Sequence, residues 1–182
     1  MKKLLVLGAI ASAVAFSSVA SANSGTINFT GTITSATCTI SPVVGGSSVA
    51  SSIDLGNPGT DLAAAKTVAF SLAPVGAGAA DCLAKTAADV SWSSPVMDAV
   101  GLANSGGSAK GVSLELKAKN AATANELVTD SNRIIAYTAP TTGAVTTLSN
   151  FDYEAKLVKT VGSGTVSAGS FATSASYTVA YK

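Results

Sequence analysis

Few residues in this sequence could carry out chemistry, and its two cysteines are the most informative of them. The 182 residues include no histidine, which removes the commonest general base and a common metal ligand. Cys38 and Cys82 lie 44 positions apart. They could form one disulfide or act as a reactive thiol pair, but a reactive pair needs cationic neighbours that the sequence does not show. We therefore expect a disulfide if the chain reaches an oxidising compartment.

The first residues predict such a compartment. A short basic segment and an apolar run over residues 4–16 precede an A-x-A cleavage signal at Ala20–Ala22. We interpret residues 1–22 as a secretory signal peptide that is cleaved after Ala22, although cleavage after Ala20 also fits. The alternative is a membrane anchor, but the apolar run is shorter than the roughly 20 residues that cross a bilayer. We expect no membrane insertion of the cleaved chain.

The charge of the cleaved chain gives no reason to expect a polyanionic partner. Residues 1–22 contain two of the 11 Lys and Arg residues and none of the 10 Asp and Glu residues, so the remainder is nearly neutral. This balance argues against binding to nucleic acid or to an anionic membrane. The acidic residues lack the spacing of a calcium loop, and the glycine-rich segment 106–111 lacks that of a phosphate loop. We expect no metal, no cofactor and no enzymatic activity.

Composition and patterning predict an all-β domain. Thr, Ser, Val, Ala and Gly are abundant, charged residues make up only 12% of the chain, and Gly- and Ser-rich breaks separate short apolar runs. The strand candidates are 35–40, 66–73, 88–93, 112–118, 151–158 and 169–181, with a short additional one at 133–138.

The alternating pattern around the first cysteine is longer than a single strand usually is. One face of its alternation is formed by Ile27, Phe29, Gly31 and Ile33. The pattern continues to Ile40, whereas an ordinary strand has about 5–6 residues. A detachable arm over residues 23–34, followed by the first strand of a domain, explains this length. The alternative is one long bent edge strand with a bulge at Gly31.

The last strand candidate raises a related question. Its aromatic and aliphatic stripe continues as far as Tyr181, where a chain end is normally frayed. An apolar strand cannot be left in water, so another segment must cover it.

Together these segments resemble the major pilin subunits of chaperone–usher fimbriae from Gram-negative bacteria. The resemblance covers essentially the whole chain after the signal peptide. It rests on GTINFTGTITSATCTI around the first cysteine, FSLAPVGAGAADC ending at the second, SAKGVSLEL, FDYEAKLV, and GSFATSASYTVAYK with its leading glycine and penultimate tyrosine.

The resemblance implies an incomplete immunoglobulin-like β-sandwich over residues 35–182. Such a domain has six strands, and its seventh is supplied in trans by donor-strand complementation. A periplasmic chaperone lends the strand first, and the N-terminal arm of the next subunit then replaces it. The expected partners are other copies of the same subunit in a homopolymer, a periplasmic chaperone, an outer-membrane usher, and tip adhesin or adaptor subunits. The expected location is a surface fimbria that supports cell adhesion.

The resemblance also assigns roles to individual residues. The donor strand would use Ile27, Phe29, Gly31 and Ile33. The groove and the chaperone contacts would lie in the C-terminal strand, at Gly169, Phe171, Ala175, Tyr177, Val179, Tyr181 and Lys182. The carboxylate of Lys182 would be held by basic residues of the chaperone.

Three alternative functions remain open at this point. A carbohydrate-binding tip adhesin of this family carries an additional lectin domain and no donor arm, which argues against it. A minor or adaptor pilin needs the same arm and groove as a major pilin. A self-contained secreted β-sandwich would need a seventh strand within its own chain.

Overall fold

The computed structural model describes residues 38–48, 52–141 and 146–182. The predicted signal peptide and donor strand, including Ile27, Phe29, Gly31 and Ile33, lie outside these ranges. The described residues form β1 (Thr39–Val44), β2 (Ser47–Ser48), β3 (Thr67–Val75), α1 (Ala79–Leu83), β4 (Ala87–Ser93), β5 (Leu102–Ala103), β6 (Val112–Ala118), β7 (Glu126–Leu127), β8 (Ile134–Thr138), β9 (Phe151–Lys159) and β10 (Ser176–Tyr181).

The strands form two antiparallel sheets that enclose one core. The larger sheet has the order β2-β1-β3-β9-β6-β5, and β7 also pairs with β6. The smaller sheet has the order β10-β4-β8. Consecutive strands of the chain alternate between the sheets in several places, as in an immunoglobulin-like sandwich. No helix in the described part of the chain has the length and apolar character that are needed to cross a membrane.

Alternation of apolar and polar residues explains which side of each strand faces the core. In β9, Phe151, Tyr153, Ala155 and Leu157 are buried, whereas the residues between them are partly exposed. In β4, Ala88, Val90 and Trp92 are buried in the same way. Side chains of successive strand residues point to opposite faces, so these two sets meet between the sheets.

Aromatic side chains occupy the centre of the core. The Trp92 ring lies edge-on to the Tyr153 ring at a centroid distance of 5.1 Å, and Tyr153 stacks on Phe70 at 5.5 Å. The Trp92 Nε1–H donates a hydrogen bond to the Tyr153 hydroxyl at 3.1 Å. Burial raises the pKa of Tyr153 to about 12, so its phenol stays neutral inside the core.

The expected fold class is confirmed. Each of the six strand candidates, and the short additional one, has a counterpart among the longer strands. The sandwich is incomplete at β10, because within the described ranges β10 pairs with β4 on one side and with no strand on the other.

Two strand boundaries differ from the prediction. The first strand was expected over 35–40, but β1 covers Thr39–Val44, where it pairs along the whole of its length with β3. The last strand was expected over 169–181, but β10 begins only at Ser176, opposite the last residue of β4, Ser93. Residues 169–175 are therefore not strand, although their alternation continues that of β10.

The predicted disulfide between Cys38 and Cys82 is confirmed. It joins the residue before β1 to α1, with the two Cα atoms 6.0 Å apart. Cys82 is fully buried. Since the chain between them includes β1, β2 and β3, the bond closes the loop that contains the first three strands of the larger sheet.

We expect the Cys82→Ser substitution to lower the free energy of unfolding by about 4 kcal/mol, because the unfolded chain then loses a 44-residue covalent loop constraint. Urea denaturation followed by the fluorescence of Trp92, the one tryptophan, would measure the loss. The Cys38→Ser/Cys82→Ser double variant is the control. It should be about as stable as the single variant, and two additive losses would contradict a shared bond.

Candidate functional site

The open side of β10 is the main feature that could bind another molecule. On its closed side, β10 pairs with β4 from Ser176 to Tyr181. On its inner face, Tyr177, Val179 and Tyr181 pack against the core. The outer backbone N–H and C=O groups have no partner strand in the described part of the chain. An edge of this kind is a template for one more strand.

The opposite wall of this opening is β1. The Tyr177 hydroxyl donates a hydrogen bond to the backbone oxygen of Ile40 at 2.9 Å, and so links the smaller sheet to the larger one. Ile40 and Val44 pack against the same core as β10. The opening between β1 and β10 therefore leads directly to core side chains.

One cavity extends from this opening between the sheets, and a second cavity adjoins it. The first has a volume of about 340 Å³ and is lined by Phe70, Leu72, Trp92, Leu116 and Tyr177, among others. The second has a volume of about 550 Å³ and is lined by Leu62, Ala109, Val112, Leu157 and Val166, among others. Ile53, Leu55 and Phe171 line both cavities. We use "the groove" for the two cavities together with the open side of β10.

The groove is almost uncharged, and its first cavity is mainly apolar, whereas the second is lined by polar and apolar groups in about equal parts. Among the described residues, Asp54 is the one charged residue that lines either cavity. Burial raises the pKa of Tyr177 and that of Tyr181, so both phenols are neutral at physiological pH. Within the described residues, no group of three or more His, Cys, Asp or Glu side chains lies close enough together to hold a metal ion. The groove therefore suits an apolar, uncharged occupant.

Two buried hydroxyl groups beside the groove have no hydrogen-bond partner in the described part of the chain. They are Thr173 Oγ1, in the segment before β10, and Tyr181 Oη, near the end of β10. A buried polar group without a partner costs about 1–3 kcal/mol.

The structure brings most of the predicted groove residues to this place. Tyr177, Val179 and Tyr181 lie in β10, and Phe171 and Ala175 precede it but line the first cavity. Gly169 lines the second cavity. Lys182 follows β10, donates its backbone N–H to Ala87 and forms an ion pair with Asp89 at 2.6 Å. A role of these residues in binding stays a prediction.

Sequence reasoning missed the part of the groove that comes from outside the predicted strands. Ile53 and Leu55, in a loop, and Leu102, in β5, line it, but they lie in segments to which no role was given. The alternation of Ile53, Asp54 and Leu55 is the one local signal that could have indicated a half-buried segment.

Comparison with known proteins identifies the family. No protein-family model matches the chain. A full-length relative shows the family instead. The chain is 39% identical over 188 positions to the K99 fimbrial protein of Escherichia coli, and the match covers 100% of this chain and 99% of the relative. The chain belongs to the fimbrial protein family. The F107 fimbrial protein of Escherichia coli is 29% identical over 183 positions and covers 100% of both chains.

Two solved structures also resemble this fimbrial protein. The P pilus rod subunit PapA has a TM-score of 0.49 at 19% identity, covering 87% of this chain and 100% of that one. A subunit from the structure of a chaperone–usher pilus has a TM-score of 0.48 at 20% identity, covering 88% of this chain and 96% of that one.

Family membership confirms the function that the resemblance implied. The chain is a structural subunit of a surface fimbria, in which it polymerises with other fimbrial subunits. Nothing in these comparisons favours the tip-adhesin or adaptor alternative.

We expect the Tyr177→Phe substitution to lower the free energy of unfolding of this fimbrial protein by about 1 kcal/mol, because Ile40 loses its hydrogen bond across the opening. Chemical denaturation of the two proteins in parallel would measure the difference.

The matched control is Tyr181→Phe. It removes the same atom from the same strand, but that hydroxyl has no partner among the described residues, so stability should be unchanged or increased. Equal losses in the two variants would contradict the role of the bond between Tyr177 and Ile40.

Proposed function

We propose that copies of this fimbrial protein polymerise by donor-strand exchange. Residues 23–34 of one copy enter the groove of the next and pair with the open side of β10. The observation that carries this proposal is the edge of β10, which is unpaired within the described residues, beside an almost uncharged groove whose first cavity is mainly apolar. Strand addition to such an edge is a known mode of recognition, in which the backbone provides affinity and alternate side chains enter pockets.

The composition of the arm suits this occupant. Ile27, Phe29 and Ile33 form one apolar face, and Thr and Asn residues form the other. Burial of each apolar side chain contributes about 1.5–3 kcal/mol, and each backbone hydrogen bond adds about 1 kcal/mol net. The entropy of association offsets part of this gain. The expected result is slow dissociation, as a fibre requires.

Gly31 would set the register of the donor. It stands on the apolar face of the arm between Phe29 and Ile33. A glycine within a strand is destabilising unless another backbone approaches closely, and it then allows that approach. A side chain at this position would prevent the arm from seating fully.

We infer that a periplasmic chaperone occupies the groove before the donor arm does, and that an outer-membrane usher receives the complex. The physical reason is that an exposed strand edge beside apolar cavities promotes aggregation until it is covered. In this proposal Phe171, Ala175, Tyr177, Val179 and Tyr181 contact the chaperone strand, and basic chaperone residues hold the carboxylate of Lys182. Tip adhesin or adaptor subunits join the fimbria through the same exchange. The polymer supports adhesion and has no catalytic role.

Deletion of residues 23–34 should abolish polymers while leaving a subunit that can still accept a donor. Surface protein run on a gel without boiling should give a ladder at multiples of the subunit mass for the natural sequence and none for the deletion. Fibres of normal length from the deletion variant, seen by electron microscopy, would refute the donor role. A single monomer band from the natural sequence would instead support a self-contained sandwich.

The Gly31→Val substitution should slow polymerisation at least about tenfold, because the added side chain clashes on the groove side of the arm. The ladder intensity over time measures the rate. The matched control is Thr32→Val, which places the same valine side chain on the polar face with almost no change in volume there, and which should assemble at the normal rate. If both variants assemble equally well, the close approach does not occur at Gly31.

A further inference from the structure

We infer that Asn104 is a positioning residue that holds the groove ready for a donor strand, an inference that rests on the proposed function. Its carboxamide uses all four of its hydrogen-bonding positions. The Nδ2 group donates to the carbonyl oxygens of Ala109 at 2.8 Å and Ser170 at 3.1 Å. The Oδ1 atom accepts from the backbone N–H groups of Gly107 at 2.9 Å and Ala172 at 3.0 Å.

These four bonds join two segments that are distant in sequence. Asn104, Gly107 and Ala109 belong to the loop after β5, whereas Ser170 and Ala172 belong to the segment before β10. Both donors meet carbonyl oxygens and both acceptor bonds come from N–H groups, so the amide orientation follows from the network itself. We call this arrangement, formed by residues 104–109 and 170–172, the Asn104 clamp.

Backbone contacts complete the clamp. Ala172 O accepts from the N–H groups of Ser105 and Gly106, each at 3.0 Å, and Ser170 O accepts from Ala109 N–H at 3.0 Å. A Cβ atom at Gly107 would clash with the Ser170 carbonyl. The two segments thus approach backbone to backbone, which only a residue without a side chain permits at that point.

The clamp determines where Phe171 lies. Residues 170 and 172 are both bonded to the loop, so Phe171 between them is fixed against Ala109, Val112 and Leu157. Phe171 lines both cavities. Its position therefore affects the shape of both cavities.

The clamp also holds the segment before β10 in place as part of the groove wall. Residues 173–175 run from the clamp to the start of β10 at Ser176 and line the first cavity. They carry small side chains, and Thr173 Oγ1 is buried there without a partner among the described residues. With Ala172 held at one end and Ser176 paired to β4 at the other, these residues cannot fold over the apolar wall that a donor needs.

The test measures how fast the groove accepts a donor. The folded, oxidised chain without residues 1–22 is mixed with a large excess of a fluorescent peptide of residues 23–34, so that the arms of other copies do not compete. Fluorescence anisotropy follows binding. We expect Asn104→Ala to slow association about tenfold, because the groove is then open in only a fraction of molecules.

The matched control is Asn120→Ala. Asn120 also joins distant segments, through hydrogen bonds with Ser149, Asn150 and Asp152, but these residues line neither cavity. Its loss should lower the free energy of unfolding by a similar amount and leave the association rate unchanged. Equal association rates for the natural chain and Asn104→Ala, or equal slowing by both substitutions, would overturn the inference.

Two further outcomes are decisive. If Asn104→Ala does not fold, Ser108→Ala replaces it, since this change removes only the hydroxyl that accepts the Ser170 N–H at 3.1 Å. It should slow association about threefold, and an unchanged rate would overturn the inference.

If the natural chain itself does not bind the peptide, the proposed function fails, and the role of Asn104 fails with it.

Discussion

The structure depends on one constraint: β10 has its inner side chains in the core but, among the described residues, only one neighbouring strand. Tyr177, Val179 and Tyr181 contribute to the same core as Trp92 and Phe151. On a sheet edge, the backbone groups that face away from β4 must be paired or hydrated. A domain built in this way is stable enough to form two sheets, yet it keeps a position for one more strand. The incompleteness is thus a property of the topology and not of any single residue.

Several other features keep this opening from closing or spreading. The Tyr177 hydroxyl bonds to Ile40 and fixes the distance between β10 and β1. The disulfide anchors the beginning of β1 through α1, so that this wall cannot detach. The Asn104 clamp holds the segment that precedes β10. Each acts on a different border of the groove, and all three are formed within one copy. The groove is therefore organised before any partner is present, which lowers the entropic cost of binding.

Sequence patterns predicted most accurately the strands that pair with a neighbouring strand along their whole length. β6 was predicted over 112–118 and β9 over 151–158, because each pairs with a long neighbour and alternates strictly. The same alternation failed for 169–175, since β4 ends at Ser93 and offers nothing to pair with them. β1 extends past the predicted end at Ile40 as far as Val44, because it pairs with β3 along its whole length. The loops that line the groove could not be predicted, because Asn104 and Leu55 take their roles from residues distant in sequence.

The low charge of the groove determines how partners can be distinguished. In the described part of the chain, Asp54 is the one charged residue at either cavity, and the apolar face of residues 23–34 carries no charge at all. In the proposed donor-strand exchange, attraction between charges therefore cannot guide the arm into register, and salt has little to screen. Shape has to do this instead, through the spacing of large side chains and the one position where Gly31 has none. In a polymer of identical copies this is sufficient, because every arm that arrives has the same sequence. An arm in a shifted register is then excluded by steric clash with the groove. Such a clash discriminates between registers more sharply than a charge at the edge of the groove could.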